Sequence, residues 1–200
     1  GNVALVENSH LIEMTIDGDF SIISPSVTSN AAGLRMLSTG DWVVADVNSG
    51  RLLLIDGKTG GSSTLTGGFN WPNGIEIGSG DRIYVTDFST GRVQSVDLDD
   101  PSTLTLIASG LQQANGIGLS PDEDVLYVIE SWRATVLAFD LQKDGTWGSP
   151  REFHYTQNGN FQGLNVDACG NVYWTDVSPN NNSTLSHIWR KPPGTGDAEL

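Results

Sequence analysis

The sequence repeats itself with a period of just over forty residues. Four segments align on a glycine that precedes a short apolar stretch, and these glycines lie 41, 42 and 47 residues apart. The aligned glycines are Gly33, Gly74, Gly116 and Gly163. Such a repeat indicates one supersecondary unit used several times, because a unit of this size buries its apolar surface only by packing against its neighbours.

Each repeat contains the pattern of four β-strands. A short apolar strand such as "GIEI" is followed by a turn, "GSGD", and by a second strand rich in β-branched and aromatic residues, "IYVTD", which ends on a carboxylate. A third strand alternates, as in "RVQSVD", which predicts one buried face, and a weaker fourth strand such as "LTLIAS" completes the unit. No repeat keeps a helical period for more than one turn.

These units predict an all-β fold, a β-propeller of four-stranded antiparallel blades. A β-sandwich is the alternative, but it would not require the same glycine and carboxylate at one phase of every unit. We expect a single domain over residues 1–200 with about five blades, as part of a six-bladed propeller. The expected blades span 1–30 (partial), 31–70, 71–112, 113–158 and 159–200 (partial).

The two ends of the sequence fall inside repeats. "GNVALVENSHLIEMTID" aligns with "GNVYWTDVS", so the first blade begins at its second strand, and "RKPPGTGDAEL" stops where an outer strand would start. An open ring exposes unpaired strand edges, which proteins normally cover. We therefore expect either a fragment of a longer propeller, whose remainder would be a partner of this chain, or a different way of closing the ring.

The charge balance excludes two classes of partner. Lys and Arg total 10 against 24 Asp and Glu, which makes this an acidic protein with a formal net charge of −14. Such a surface repels nucleic-acid backbones and anionic membranes. No apolar run approaches the length of a membrane span, so we expect no membrane insertion. With no signal-peptide pattern and Cys169 as the only cysteine, a soluble protein of the cytoplasm or of a secreted or periplasmic compartment is expected, and the compartment stays open.

The residue before each anchoring glycine is a candidate for ligand binding. In a propeller the innermost strands line a central channel, and the residues that enter these strands can converge at its mouth. Three of the four are side-chain amides: the set is Ala32, Asn73, Asn115 and Gln162. Amide oxygens suit a hard cation such as Ca²⁺ or a polar ligand. The alternative is that these amides bond the backbone of their own loops.

Other recurring residues have different explanations. The carboxylates that end the second strands are expected to be structural, accepting hydrogen bonds from the turn that follows, with Glu130 as a candidate that also reaches a substrate. Trp71 and Trp132 flank the amide positions and are candidates for the walls of a pocket, or for covers of a core edge. Asn181-Asn182-Ser183 and Asn182-Ser183-Thr184 fit the glycosylation acceptor pattern, which matters only in a eukaryotic secretory setting.

The segment "ANGIGLSPDEDVLYVIESWRATVLAFDL" resembles the diagnostic blade of the gluconolactonase and regucalcin (SMP-30) family of six-bladed propellers. It is similar to blades of paraoxonases and strictosidine-synthase-like proteins as well, and "GLNVDACGNVYW" resembles the next blade of the same superfamily. The resemblance implies lactone hydrolysis at a Ca²⁺ or other divalent ion held at the channel mouth. It implies Asn115 as a metal ligand, and Asn73 as a metal ligand or substrate contact.

Two departures from the family pattern keep other functions open. The family usually carries Asp where this chain has Gln162, and its metal-binding Glu would lie on a strand that precedes Gly1. A neutral Gln adds no charge to a metal site and cannot act as a general base. We therefore expect a metal-assisted hydrolase of lactones or related esters with a small-molecule substrate, with Gln162 as a substrate contact. A non-catalytic ligand-binding or scaffold propeller, or a metal-free strictosidine-synthase-like enzyme, is the alternative.

Overall fold

The chain forms five antiparallel sheets that succeed one another along the sequence. The structure is a computed structural model that describes residues 3–28, 30–157, 159–177, 186–194 and 196–200. The two glycosylation patterns at Asn181 and Asn182 lie outside the described residues. Among the described residues, no helix has the length and hydropathy that crossing a bilayer requires.

Each sheet is a meander in which consecutive strands pair with each other, and we number the sheets as blades 1 to 5. Blade 1 contains β1 (Val3–Glu7), β2 (His10–Met14) and β3 (Phe20–Ser24). Blade 2 contains β4 (Ala31–Met36), β5 (Trp42–Asp46), β6 (Arg51–Ile55) and β7 (Ser62–Gly67). Blade 3 contains β8 (Pro72–Gly78), β9 (Arg82–Asp87), β10 (Arg92–Asp97) and β11 (Asp100–Ala108).

The last two blades continue the same order. Blade 4 contains β12 (Ala114–Leu119), β13 (Val125–Glu130), β14 (Thr135–Asp140) and β15 (Arg151–Tyr155). Blade 5 contains β16 (Phe161–Val166), β17 (Val172–Asp176) and β18 (His187–Lys191). The blades are arranged as a β-propeller, with β4, β8, β12 and β16 packed side by side as inner strands. The predicted all-β propeller fold is confirmed.

The core lies between the blades and not within one of them. Apolar clusters fill the space between each pair of consecutive blades; between blades 3 and 4, for example, Val93, Ile117 and Leu126 are almost fully buried. The middle strands therefore pack on both faces. The expected single buried face of the third strand is wrong for this reason: in β10 the four residues from Val93 to Val96 are all buried, including Gln94 and Ser95.

Candidate functional site

All four complete inner strands contain a β-bulge at the same position. The pairing between an inner strand and the second strand of its blade shifts register across two residues: Ala32-Gly33 in β4, Asn73-Gly74 in β8, Asn115-Gly116 in β12 and Gln162-Gly163 in β16. The amide-glycine pairs thus lie inside the inner strands and not in the loops before them. A bulge redirects the side chain that it carries, and bulges are common beside functional sites.

The glycines of the bulges allow neighbouring blades to approach each other closely. A Cβ atom on Gly74 would lie 2.4 Å from the backbone oxygen of Asn115, and one on Gly116 would lie 2.6 Å from the backbone oxygen of Gln162. Only glycine leaves room for these carbonyl groups. Each glycine therefore positions the amide-bearing bulge of the next blade.

A threonine fixes the backbone of Asn115 from the preceding blade. Thr86, in β9, accepts a hydrogen bond from the Gly74 N–H at 2.8 Å, and its hydroxyl donates to the Asn115 carbonyl at 2.6 Å. Thr86 is fully buried. The hydroxyl thus connects the bulge of blade 3 to the bulge of blade 4.

The side chain of Asn115 is held by two further polar residues. Its Nδ2 donates to Ser131 Oγ and to Gln162 Oε1, both at 3.0 Å. Ser131 donates its own hydroxyl hydrogen to the Phe161 carbonyl, and Gln162 Nε2 donates to Asn160 Oδ1 at 2.7 Å. Both partners of Asn115 are therefore acceptors toward it, which fixes the orientation of its amide.

This network commits both amide hydrogens of Asn115 and leaves its Oδ1 as an acceptor. No hydrogen bond to Oδ1 comes from any residue that the structure describes, although Asn115 as a whole is only 5% exposed. The residue lines a central cavity of about 400 Å³. Because Asn115 cannot donate another hydrogen bond, it can bind a cation or a hydroxyl donor but cannot stabilise an oxyanion directly.

The central cavity is bounded by the inner strands and by β1. Asn73 lines it, and its side chain makes no hydrogen bond within the described part of the chain. Arg35, in β4, also lines it and forms an ion pair with Glu76 of β8 at 3.2 Å. The cavity therefore contains two amides and one guanidinium whose charge is balanced by a neighbouring carboxylate.

The other predicted site residues do not line the central cavity. Gln162 contacts Asn115 from the neighbouring blade. Trp71, just before β8, is 43% exposed and packs against Phe88 in a tilted arrangement, with 5.3 Å between ring centroids. Trp132 is 73% exposed and lines a second cavity.

Glu130 is buried, as are the carboxylates that end the second strands of blades 2, 3 and 5. It accepts a hydrogen bond from the Gln112 N–H at 2.8 Å. Asp87 accepts three, from the N–H groups of Asn70, Trp71 and Thr90, at 2.8, 3.1 and 3.2 Å. Asn70, Trp71 and Gln112 lie in segments that lead into an inner strand. Only Thr90 lies in the turn after the second strand, where the sequence predicts these donors. The carboxylates thus tie the entry of each inner strand to its second strand.

Sequence reasoning missed Ser131, which holds Asn115 in place. A signal for it exists in the repeat: the residue after the second-strand carboxylate is a serine in blade 4, and in the other blades it is Asn8, Val47, Phe88 or Val177. The ion pair between Arg35 and Glu76 was also missed. Both residues lie two positions after an anchoring glycine, where the next two blades have Gly118 and Asn165.

The donor chemistry of the cavity fits a hard cation only in part. Asn115 and Asn73 both line the cavity, and Asn115 Oδ1 accepts no hydrogen bond from the residues that the structure describes. Ca²⁺ takes about 6–8 oxygen ligands, so water and substrate oxygens would have to supply most of them. Within the described ranges, no cluster of three or more His, Cys, Asp or Glu side chains could hold a metal ion.

Comparison with known proteins supports the resemblance seen in the sequence. Residues 98–187 match the family model of the SMP-30/Gluconolactonase/LRE-like region, and residues 69–94 match the NHL repeat. A gluconolactonase from Zymomonas mobilis subsp. mobilis is 27% identical over 169 residues, which cover 70% of this chain and 48% of that protein. The chain thus spans about half the length of the curated relative it matches.

Solved structures show the same fold. A gluconolactonase from Xanthomonas campestris superimposes with a TM-score of 0.80 at 19% identity, covering 94% of this chain and 68% of the other. A regucalcin from Agrobacterium tumefaciens, described as a calcium-binding protein, gives a TM-score of 0.73 at 15% identity, covering 95% and 66%. The predicted resemblance to gluconolactonase and regucalcin is confirmed, whereas that to paraoxonases and strictosidine-synthase-like proteins stays a prediction.

Proposed function

We propose that this protein hydrolyses lactones or related esters of small polyhydroxylated molecules in the central cavity, with the help of Ca²⁺ or another divalent cation. The observation that carries the proposal is the acceptor oxygen of Asn115, which is held in a fixed orientation and left unpaired at the cavity. Asn115 also lies within the segment that matches the SMP-30/gluconolactonase model.

In this proposal Asn115 and Asn73 supply protein oxygens to the cation. When bound, the cation polarises the lactone carbonyl and favours attack by water. The side chains of Ser131 and Gln162 keep Asn115 Oδ1 directed at the cavity, because both of them occupy its Nδ2. Hydrolysis adds one water across the ring C–O bond and yields a hydroxy acid. Trp71 and Glu130 stay proposed substrate contacts that movement of the entry loops would have to bring closer.

The test measures hydrolysis of glucono-δ-lactone above the spontaneous rate, with added CaCl₂ and with EDTA. We expect metal-dependent hydrolysis by the parent protein and a fall of roughly 10- to 100-fold or more in Asn115→Ala, the scale of loss when a residue that supports a metal site is removed. Asn165→Ala is the matched control, since Asn165 is an exposed asparagine of an inner strand outside the cavity. Full activity in EDTA, or in Asn115→Ala, would contradict the proposal.

Binding should be measured separately from turnover. Calorimetric titration with Ca²⁺ is expected to show weak binding that Asn115→Ala removes and Asn165→Ala retains. Weak affinity is expected because the protein donors in the described cavity are neutral amides, and Ca²⁺ affinity decreases with the charge of its ligands.

A second function is favoured by one observation. Among the described residues that line the central cavity, none is Asp, Glu or His, so none offers a general base near neutral pH. A ligand-binding propeller without turnover is therefore the alternative. It predicts saturable binding of a lactone or its hydroxy acid together with no hydrolysis across a panel of lactones.

A further inference from the structure

A second cavity of about 650 Å³ lies on blade 4, beside the segment that holds Asn115. It is formed by the turn after β13, by the end of β15 and by the residues that lead into β12. Its lining includes Gln112, Trp132, Arg133, Glu152, Tyr155 and Gln157. A volume of this size lies within the range of small-molecule sites in proteins.

The backbone under Trp132 is fixed although its side chain is exposed. The N–H groups of Trp132 and Ala134 donate to the carbonyls of Gln112 and Ser131, at 3.4 and 3.1 Å, and Ser131 is buried. Ala134 adopts a left-handed conformation with φ of 47°, which a residue other than glycine adopts at a cost and only where its surroundings impose it. The turn therefore fixes the backbone position from which the indole of Trp132 projects.

The exposure of Trp132 is not explained by packing within the chain. Trp71 is also exposed, but its ring packs against that of Phe88. Trp132 has no such aromatic partner among the described residues, and Tyr155, on the same cavity, is 52% exposed and also lacks one. Two exposed aromatic rings on one cavity offer apolar faces and polar edges to a ligand.

The polar groups of the cavity narrow the class of ligand. Arg133 and Glu152 form no ion pair with any described residue, and two glutamines provide neutral donors and acceptors. One guanidinium beside a carboxylate does not attract an anion, and the net charge of −14 repels one. A purely apolar ligand would leave these polar groups without partners. A neutral polyhydroxyl molecule with an apolar face carries no negative charge to be repelled, and its hydroxyl groups provide partners for the polar side chains.

We propose that this second cavity binds a carbohydrate, with the C–H face of one sugar ring against the indole of Trp132. The ring hydroxyls would bond Arg133, Glu152 and the glutamine amides, and Tyr155 would cover the edge of the sugar. This site is separate from the central cavity and does not depend on lactone hydrolysis there.

The test is titration of the full chain with glucose, maltose, cellobiose and lactose, followed by tryptophan fluorescence and calorimetry. We expect saturable binding of at least one of these sugars, weakened roughly tenfold or more in Trp132→Ala and less in Trp132→Phe, which keeps a ring. Phe20→Ala is the matched control, because it removes an aromatic ring of blade 1 that is as exposed as Trp132 and lies outside this cavity, so the affinity should stay unchanged. Tyr155→Ala supplies a second variant.

The outcomes separate this site from the central cavity. Binding that is lost in Trp132→Ala and in Tyr155→Ala, with unchanged thermal unfolding, supports the proposal. Binding that is lost in Trp71→Ala or Asn115→Ala but kept in Trp132→Ala would place the sugar elsewhere and overturn it. No saturable binding of any of the four sugars at millimolar concentration would overturn it too.

Discussion

Two rows of polar residues recur through the blades, and they differ in what their polar atoms contact. The carboxylates that end the second strands of blades 2 to 5 are buried and accept hydrogen bonds; Asp87, for example, accepts three from backbone N–H groups. Two of the bulge amides, Asn73 and Asn115, line the central cavity, and Asn115 Oδ1 accepts no hydrogen bond from any described residue. A polar residue that recurs at one phase of a repeat is therefore not a functional residue for that reason alone. A polar atom that the fold leaves without a hydrogen-bond partner is the better indicator of a binding site.

The largest expected effect on stability comes from removing one of the buried carboxylates that end the second strands. Asp87→Ala would leave three backbone N–H groups without acceptors at the entry to β8, and we expect a loss of roughly 2–4 kcal/mol in the free energy of unfolding. Urea unfolding measures it. Asp17→Ala, which removes an exposed carboxylate, should change the stability by less than about 0.5 kcal/mol. Equal small effects for both variants would show that the recurring carboxylates are not structural.

The next effect tests the bulges themselves. Gly116→Ala would place a Cβ 2.5 Å from the Leu164 amide nitrogen, whereas the same change at Gly163 meets nothing closer than 3.7 Å. We expect Gly116→Ala to lower the free energy of unfolding by roughly 1–3 kcal/mol and Gly163→Ala to change it by less than about 0.5 kcal/mol. Chemical unfolding of both variants checks this. Similar stability for the two would mean that close packing at Gly116 does not position Gln162 against Asn115.

The smallest expected effect is the pH dependence of the stability that a buried second-strand carboxylate contributes. Burial alone would raise the pKa of Asp46, but hydrogen bonds from Ser49, Thr28 and Arg51 and the charge of Arg51 lower it below its ordinary value. A lowered pKa means that the ionised group stabilises the fold above the ordinary value of about 3.8, and that this contribution is lost as pH falls through the folded-state pKa.

Asp46→Asn removes that titration while keeping the shape of the side chain. We expect the parent to be more stable than this variant at pH 6 and the difference to shrink below about pH 4, as shown by urea unfolding at a series of pH values. A stability difference that stays constant down to pH 2 would argue against a role for the ionised form.

Much of the fold follows from the sequence because the repeat imposes it. The spacing of the glycines predicts the inner strands, and the tight turn of blade 4 lies at residues 120–124, between β12 and β13, as "SPDED" indicates. The alternation of apolar and polar residues in "RVQSVD" predicts a single buried face, and this prediction is wrong. A strand packed between two blades buries both faces whatever its pattern of apolar and polar residues.

The site could be predicted only in part. The repeat identifies Asn115 and Gln162 as equivalent positions, but their hydrogen bond of 3.0 Å depends on how closely two blades approach at Gly116, which a single sequence does not specify. The position of Trp132 on a separate cavity depends on the left-handed turn at Ala134, a residue with no special preference for that conformation.

The most direct test of the central claim is diffraction from crystals soaked with Ca²⁺, or with Mn²⁺ as an anomalous scatterer. The unpaired oxygen of Asn115 predicts a metal peak in the central cavity at about 2.3–2.6 Å from Asn115 Oδ1, the usual distance of calcium–oxygen contacts, and no such peak in Asn115→Ala. A peak held by the recurring carboxylates, or one that persists in Asn115→Ala, would contradict the distinction between the two rows.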